Sequence, residues 1–222
     1  MKIIGHRGAA GLALENTRAS LLAAIHRGVD MIEFDVRLTA DDHLVICHDA
    51  ITDRISAISR TIRRHTLKEL QSVELHGGQH LLSLDEGLEI AGSVPVIIEV
   101  KDSGSVGELL TVLKRHPDAR PSIASFEHSE LHSIRKALPE IPIYVLEHFA
   151  PFDIVHSAHR LHATGIGLNR GLMNPLTYIL ARRNGLELYL YSVNNVLLAR
   201  FLHLFYPGVS LCTDHPERFI KH

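Results

Sequence analysis

The chain has 222 residues, 45% of them hydrophobic, with 23 Lys plus Arg against 25 Asp plus Glu. That length and apolar content suit one domain with a sizeable core, while the near-balanced charge offers no basic excess for nucleic acid or an anionic membrane. No apolar run reaches the roughly 20 residues of a membrane span, so no stable membrane insertion is expected. The chain starts directly in a strand-like run, so no signal peptide is expected, and Cys47 and Cys212 are expected as free thiols in the cytoplasm.

In chain order, the first strand is Lys2–Gly5, and His6, Arg7 and Gly8 follow at once. Two basic side chains between glycines at a strand mouth suggest an anion site: histidine trades a proton near neutral pH, and arginine grips an oxyanion with paired hydrogen bonds. Thr17–Arg27 reads as a helix with Leu21, Leu22 and Ile25 on one face, and the second strand is Met31–Asp35. Far more chain than a crossover needs then separates Arg37 from Val94. Its pattern predicts an extra strand at His43–His48, an irregular stretch through Arg64, and helical pieces near Thr66–Leu75 and Ser83–Ala91. We read roughly residues 37–80 as an insertion after the second strand. The remaining strand-like runs are Val94–Lys101, Pro121–Phe126, Ile143–Glu147, Gly165–Asn169, Glu187–Val193 and Val209–Thr213, with a helix at Pro175–Asn184 closed by Gly185.

Eight strands at mostly βα spacing predict an α/β fold, a closed (β/α)₈ barrel formed by residues 1–222 as a single domain. The rival doubly wound sheet expects G-x-G-x-x-G after its first strand, and neither GHRGAAG nor GIGLNRG matches.

Side chains alternate faces along a strand. In MIEFDVRL, Ile32, Phe34 and Val36 point one way, Met31, Glu33 and Asp35 the other. In PVIIEVKD, Val96, Ile98 and Val100 face the helices while Ile97, Glu99 and Lys101 face inward. Buried carboxylates are costly unless paired or metal-bound. Glu33, Asp35 and Glu99 therefore form either a buried ion-pair cluster or, on the reading we favour, the ligands of one divalent cation. All-oxygen ligation suits Mg²⁺ or Ca²⁺ better than zinc. Lys101 is then placed to contact an anionic substrate, and His48, ending its own run, supplies a second imidazole beside His6. Two histidines across a phosphate provide a base for the attacking oxygen and an acid for the leaving one.

These residues, in this order, resemble the glycerophosphodiester phosphodiesterase family. The matching pieces are HRG at His6–Gly8, ENT at Glu15–Thr17, IEFDVRLTADDHLVICHD at Ile32–Asp49, DR at Asp53–Arg54, TLKEL at Thr66–Leu70, LSLDEGL at Leu82–Leu88, IIEVK at Ile97–Lys101, SFE at Ser125–Glu127, YSVNN at Tyr191–Asn195 and TDHP at Thr213–Pro216. The resemblance implies a (β/α)₈ barrel with a small insertion and metal-dependent hydrolysis of glycerophosphodiesters, such as glycerophosphocholine or glycerophosphoethanolamine, to glycerol 3-phosphate and an alcohol. It implies His6 and His48 as the acid–base pair, Glu33, Asp35 and Glu99 as ligands of Mg²⁺ or Ca²⁺, and Arg7 and Lys101 as phosphate contacts. Two positions depart from the family: Leu14 stands where proline is usual, and Tyr191 where tryptophan commonly lines the substrate pocket. Glu15 either orients Arg7 or compensates the positive end of the following helix.

Other histidine pairs carry no such pattern. His128 and His132, four apart, lack an evident third ligand, and His156, His159 and His162 are read as surface. Ser125 lacks an adjacent base, Cys212 is read as an apolar filler, and Asp214 is expected to pin the last loop or a nearby polar group rather than a metal.

Overall fold

The computed structural model describes residues 1–147 and 153–220. Among the described residues the strands are β1 (Ile3–Gly5), β2 (Met31–Leu38), β3 (Leu44–Ile46), β4 (Leu82–Ser83), β5 (Val96–Val100), β6 (Pro121–Ser125), β7 (Ile143–Glu147), β8 (Gly165–Asn169), β9 (Glu187–Tyr191) and β10 (Ser210–Thr213). The helices are α1 (Arg18–His26), α2 (Leu67–Gln71), α3 (Leu84–Ala91), α4 (Val106–Arg115), α5 (His128–Ala137), α6 (Asp153–Arg160), α7 (Pro175–Arg183) and α8 (Val196–Phe205). β1, β2 and β5 to β10 pair in parallel, and β1 bonds both β2 and β10, which closes the barrel. None of the described helices is long and apolar enough to cross a membrane.

The alternation read from the sequence separates two apolar layers. Phe34, Val36, Ile98 and Val100 point outward into the core beneath the helices. Ile4, Ile97, Ala124, Leu146, Tyr189 and Cys212 fill the barrel interior. Register then decides what shares the inner face: Glu33 aligns with Ile97, and Asp35 with Glu99. In-register residues on neighbouring parallel strands point to the same side, so both carboxylates enter the barrel mouth together.

The insertion folds back on β2. β3 pairs antiparallel with β2, and β4 with β3. It has its own apolar cluster, including Val45, Cys47, Ile55, Ile62, Leu70 and Leu81. Leu14, where the resemblance expects proline, packs against that cluster and ties the first barrel loop to the insertion. Both cysteines are free and buried, Cys47 here and Cys212 inside the barrel.

Some boundaries differ from the sequence reading. β2 runs on to Leu38, because its far end pairs with β3. The helix expected over Thr66–Leu75 is only Leu67–Gln71, although Thr66 and Glu69 cap it reciprocally. Leu75 instead forms an isolated bridge with Gln79. The buried side of α1 is Ser20, Leu21 and Ala24, while Leu22 and Ile25 are half-buried. Small residues let α1 sit close to the barrel, and Ala24 Cβ lies only 3.1 Å from where a side chain on Gly5 would begin.

Candidate active site

The first loop is shaped by its glycines. Gly8 has φ of +82°, and a Cβ there would stand 2.5 Å from the Ser20 backbone. Glycine alone tolerates both conditions. Arg7 is also left-handed, at φ +50°, and so is Asn16 at φ +57°. Such conformations cost of order 1–3 kcal/mol each in non-glycine residues and persist where surrounding bonds impose them. Here the Arg7 N–H donates to Glu33 Oε2 at 2.8 Å, and the Asn16 N–H to Arg7 O at 3.0 Å. Asn16 Nδ2 then donates to Asp35 Oδ2 at 2.9 Å. The loop after β1 thus orients two carboxylates of β2.

Oxygens of Glu33, Asp35 and Glu99 lie within 4.8 Å of one another. Asp35 and Glu33 are almost wholly buried. Lys101 Nζ bonds Asp35 Oδ1 at 2.9 Å and also Glu99 Oε1. Burial would raise the Asp35 carboxyl, but Lys101 and Arg7 hold it down at about 2. Glu33 is pushed up to about 8 by burial and by the charge on Asp35. Glu99 is raised for the same two reasons. Glu33 Oε1 is buried and has no hydrogen-bond partner. An orphaned buried carboxylate oxygen beside two other carboxylates is what a hard cation would satisfy, so the donor set fits a divalent ion with oxygen ligands.

Two imidazoles flank this cluster, and each is held the same way. His6 Nδ1 lies 2.6 Å from Asp214 Oδ1, and His48 Nδ1 lies 2.7 Å from Asp49 Oδ1. A carboxylate only accepts, so Nδ1 carries a proton in both and Nε2 is the nitrogen left available for proton exchange. Asp214 is fixed in turn by Asn194, whose Nδ2 donates to Oδ2 at 2.5 Å. Asp49 accepts from Arg54 Nε at 2.7 Å. Their electrostatic settings differ. Burial lowers the proton affinity of His6, but the bond to Asp214 and the charge of Glu33 outweigh it and leave it raised. Burial lowers His48 too, and Lys101 and Arg7 push the same way against Asp35 and Asp49.

Arg7 reaches the cluster from the other side, with Nε 3.4 Å from Asp35 Oδ2 and Nη1 2.8 Å from Glu15 Oε1. Glu15 also accepts two bonds from Arg54, at 2.8 and 2.6 Å. Of the two readings left open for Glu15, its bonds match the orienting one. Arg54 joins Glu15 to Asp49, so one arginine in the insertion links the supports of Arg7 and His48.

A cavity of about 350 Å³ at this end of the barrel is lined by His6, Arg7, Glu33, His48, Glu99, Lys101 and Tyr191, with Phe126 as a further wall. The Tyr191 and Phe126 rings meet edge to face, centroids 6.2 Å apart. The structure thus gathers His6, His48, Arg7, Lys101, Glu15, Tyr191, Glu33, Asp35 and Glu99 around one mouth. A larger cavity, about 860 Å³, opens at the opposite end near Lys2, Pro121 and Tyr144. Of its three carboxylates, Asp30 and Glu187 are engaged by Ile3 N–H and the Tyr144 hydroxyl. Active sites of such barrels sit at the strands' C-terminal ends, which points to the smaller cavity.

Sequence reasoning missed the supports. Asn16, Asp49, Arg54 and Asn194 all lie inside motif pieces, but nothing in their spacing marks their roles: Asn16, Arg54 and Asn194 meet residues of other elements, and Asp49 holds its own neighbour His48. Asp214 does pin a polar group, and that group is His6. Among the discounted residues, Ser125 Oγ donates to Val100 O at 2.7 Å, and His128 Nε2 lies 3.1 Å from Leu146 O.

Residues 6–218 match the model of the glycerophosphoryl diester phosphodiesterase family. The chain is 30% identical to the YhdW protein of Bacillus subtilis, covering 100% of this chain and 97% of that one. It is 28% identical to a glycerophosphodiester phosphodiesterase of Caldanaerobacter subterraneus, covering 99% and 96%. An Oleispira antarctica phosphodiesterase, solved in complex with its product sn-glycerol 3-phosphate, superimposes with a TM-score of 0.92 at 24% identity, over 98% of this chain and 94% of that one. With the fold closed and a family match that spans nearly its whole length, the chain belongs to the glycerophosphoryl diester phosphodiesterase family and is a phosphoric diester hydrolase.

Proposed function

We propose that the chain hydrolyses small glycerophosphodiesters, glycerophosphocholine and glycerophosphoethanolamine among them, to glycerol 3-phosphate and the free alcohol. Glu33, Asp35 and Glu99 hold one Mg²⁺ or Ca²⁺ ion. That ion, when bound, supplies Lewis-acid stabilisation of charge on the phosphoryl oxygens. Arg7 and Lys101 bind and orient the phosphate and share in that stabilisation. His48, kept neutral by burial and by its cationic neighbours Lys101 and Arg7, takes the proton from the attacking oxygen. His6, whose bond to Asp214 favours the doubly protonated ring, gives its Nε2 proton to the departing alkoxide. Opposed proton affinities on two groups facing one reactant are the usual basis for dividing acid from base. Tyr191 and Phe126 form the apolar wall that the substrate's carbon skeleton meets.

The observation that carries this reading is the pair of carboxylate-held imidazoles lining one cavity with Glu33 and Glu99, whose oxygens lie within 4.8 Å of Asp35. The product named for the Oleispira antarctica relative supports glycerol 3-phosphate as the product here. The test is release of glycerol 3-phosphate from glycerophosphocholine with Mg²⁺ or Ca²⁺, repeated with chelator and with His6→Ala and His48→Ala. Each variant is expected to lose about 10²–10⁴ in kcat. Full turnover by either variant would remove that histidine from the mechanism, and turnover indifferent to chelation would remove the metal.

A further inference from the structure

We propose that Arg37 is the positioning residue through which the barrel holds His48 beside the acidic cluster. The inference rests on the catalytic reading of His48 given above. Glu33, Asp35 and Arg37 follow one another along the inner face of β2, and Arg37 lines the catalytic cavity. Its Nε donates to His48 O at 2.8 Å, and its Nη1 to Asp102 Oδ1 at 2.7 Å. The ladder between β2 and β3 runs out before His48. β3 stops at Ile46, and the bond that follows it, from Cys47 N–H to Asp35 O, is 3.0 Å long. Among the described residues His48 makes two hydrogen bonds, its carbonyl to Arg37 and its ring to Asp49. Asp49 is the next residue in the chain, and the arginine that holds its carboxylate, Arg54, belongs to the insertion. Arg37 therefore supplies the bond that runs from a barrel strand to this histidine.

The guanidinium is itself fixed from the next strand. Asp102 follows Lys101, and while its Oδ1 accepts from Arg37, its Oδ2 accepts from Leu38 N–H at 3.0 Å. Lys101 N–H donates to Val36 O at 3.1 Å. The loop after β5 is held in turn by the buried Glu130 of α5, which accepts from Gly104 N–H at 3.0 Å and Ser105 N–H at 2.8 Å. Ser105 Oγ donates to Asp102 O at 2.7 Å. One side chain thus joins the His48 carbonyl, the strand that carries Asp35 and the loop that follows Lys101. A base must stand within hydrogen-bond reach of the proton it takes, and a misplacement of about 1 Å can cost on the order of 10²-fold. Arginine suits the link because its planar fork reaches two acceptors at once, whereas a lysine ammonium is a compact point charge. Two of the three nitrogens are committed to these acceptors, and Asp102 offsets the charge. Arg37 therefore acts on the reaction through His48 and not by gripping phosphate.

The experiment uses the full chain with Mg²⁺ or Ca²⁺ and glycerophosphocholine. Arg37→Met should lower kcat about tenfold and leave KM within about twofold. Arg37→Lys should recover part of the loss, to within about threefold of the unaltered chain. Asp102→Asn lies outside the cavity lining and keeps an acceptor for Leu38 N–H. It should lower kcat about threefold through the same link, and it carries the test if Arg37→Met does not fold. Introduced into the His48→Ala chain, neither change should cost more than about a further twofold, because a residue that acts through His48 then has nothing left to position. A kcat within about twofold of the unaltered chain for both variants would overturn the proposal. So would a raised KM at unchanged kcat, which marks a phosphate contact, or an undiminished loss in the His48→Ala chain, which marks a general structural role. Full turnover by His48→Ala alone would instead overturn the catalytic reading of His48, and the positioning with it.

Discussion

Glu33 makes the metal-free protein sensitive to pH in a direction that can be worked out in advance. Its folded-state proton affinity sits near pH 8, against an ordinary value near 4.5. A carboxyl raised on folding contributes stability that is complete below about pH 4.5 and is lost as pH rises to about 8. With about 1.36 kcal/mol per pH unit, the loss between pH 5 and 8 is about 4 kcal/mol. Glu99, also raised, adds to it with the same sign, as does His6. Asp35 has the opposite sign, but it is held near 2, so its contribution is lost only in strong acid. His48, lowered, works against the trend below pH 6.5. The assay is urea unfolding of chelated protein from pH 5 to 8, followed by circular dichroism, with and without saturating Mg²⁺ or Ca²⁺. Chelated protein should weaken toward pH 8, and the cation should protect it more at pH 8 than at pH 5. Glu33→Gln should flatten the chelated profile and remove most of the protection. A Glu33→Gln profile as steep as that of the unaltered chain would refute the assignment of this charge to the buried cluster.

Asp214→Asn removes the carboxylate charge that, with its bond to Nδ1, keeps the His6 proton affinity high. The alkaline limb of the kcat/KM profile should therefore move to lower pH, and an unmoved limb would separate Asp214 from His6. Arg54→Ala breaks three hydrogen bonds, to Glu15 and Asp49. Because Arg54 is half-exposed, the stability cost should be about 1 kcal/mol, a drop of roughly 2–4 °C in Tm, while kcat falls about tenfold through the loosened Arg7 and His48. Gly8→Ala meets a forbidden φ and the Ser20 backbone together. It should cost about 3 kcal/mol or more in urea unfolding and nearly all activity.

Much of the site is legible from strand periodicity because a strand has only two faces. Once Phe34 and Ile98 are assigned to the helix side, Glu33, Asp35 and Glu99 must point into the barrel. The supports are not legible in the same way. Arg54 meets Glu15 across 39 residues and His6 meets Asp214 across 208, distances over which no local pattern operates. The same limit explains α2, where a good capping box invites a longer helix than the insertion's packing permits.

What the sequence determined by itself is the alternation that makes a barrel and the side of each strand on which charge falls, since both follow from backbone geometry within a few residues. Only the tertiary structure decided which carboxylate meets which. Closing β1 against β10 carries Asp214 to His6, and folding the insertion back on β2 carries Arg54 to Glu15 and His48, with its neighbour Asp49, toward Asp35. Those meetings set the two histidines' opposed proton affinities, because electrostatic energy depends on separation in space and not on separation along the chain.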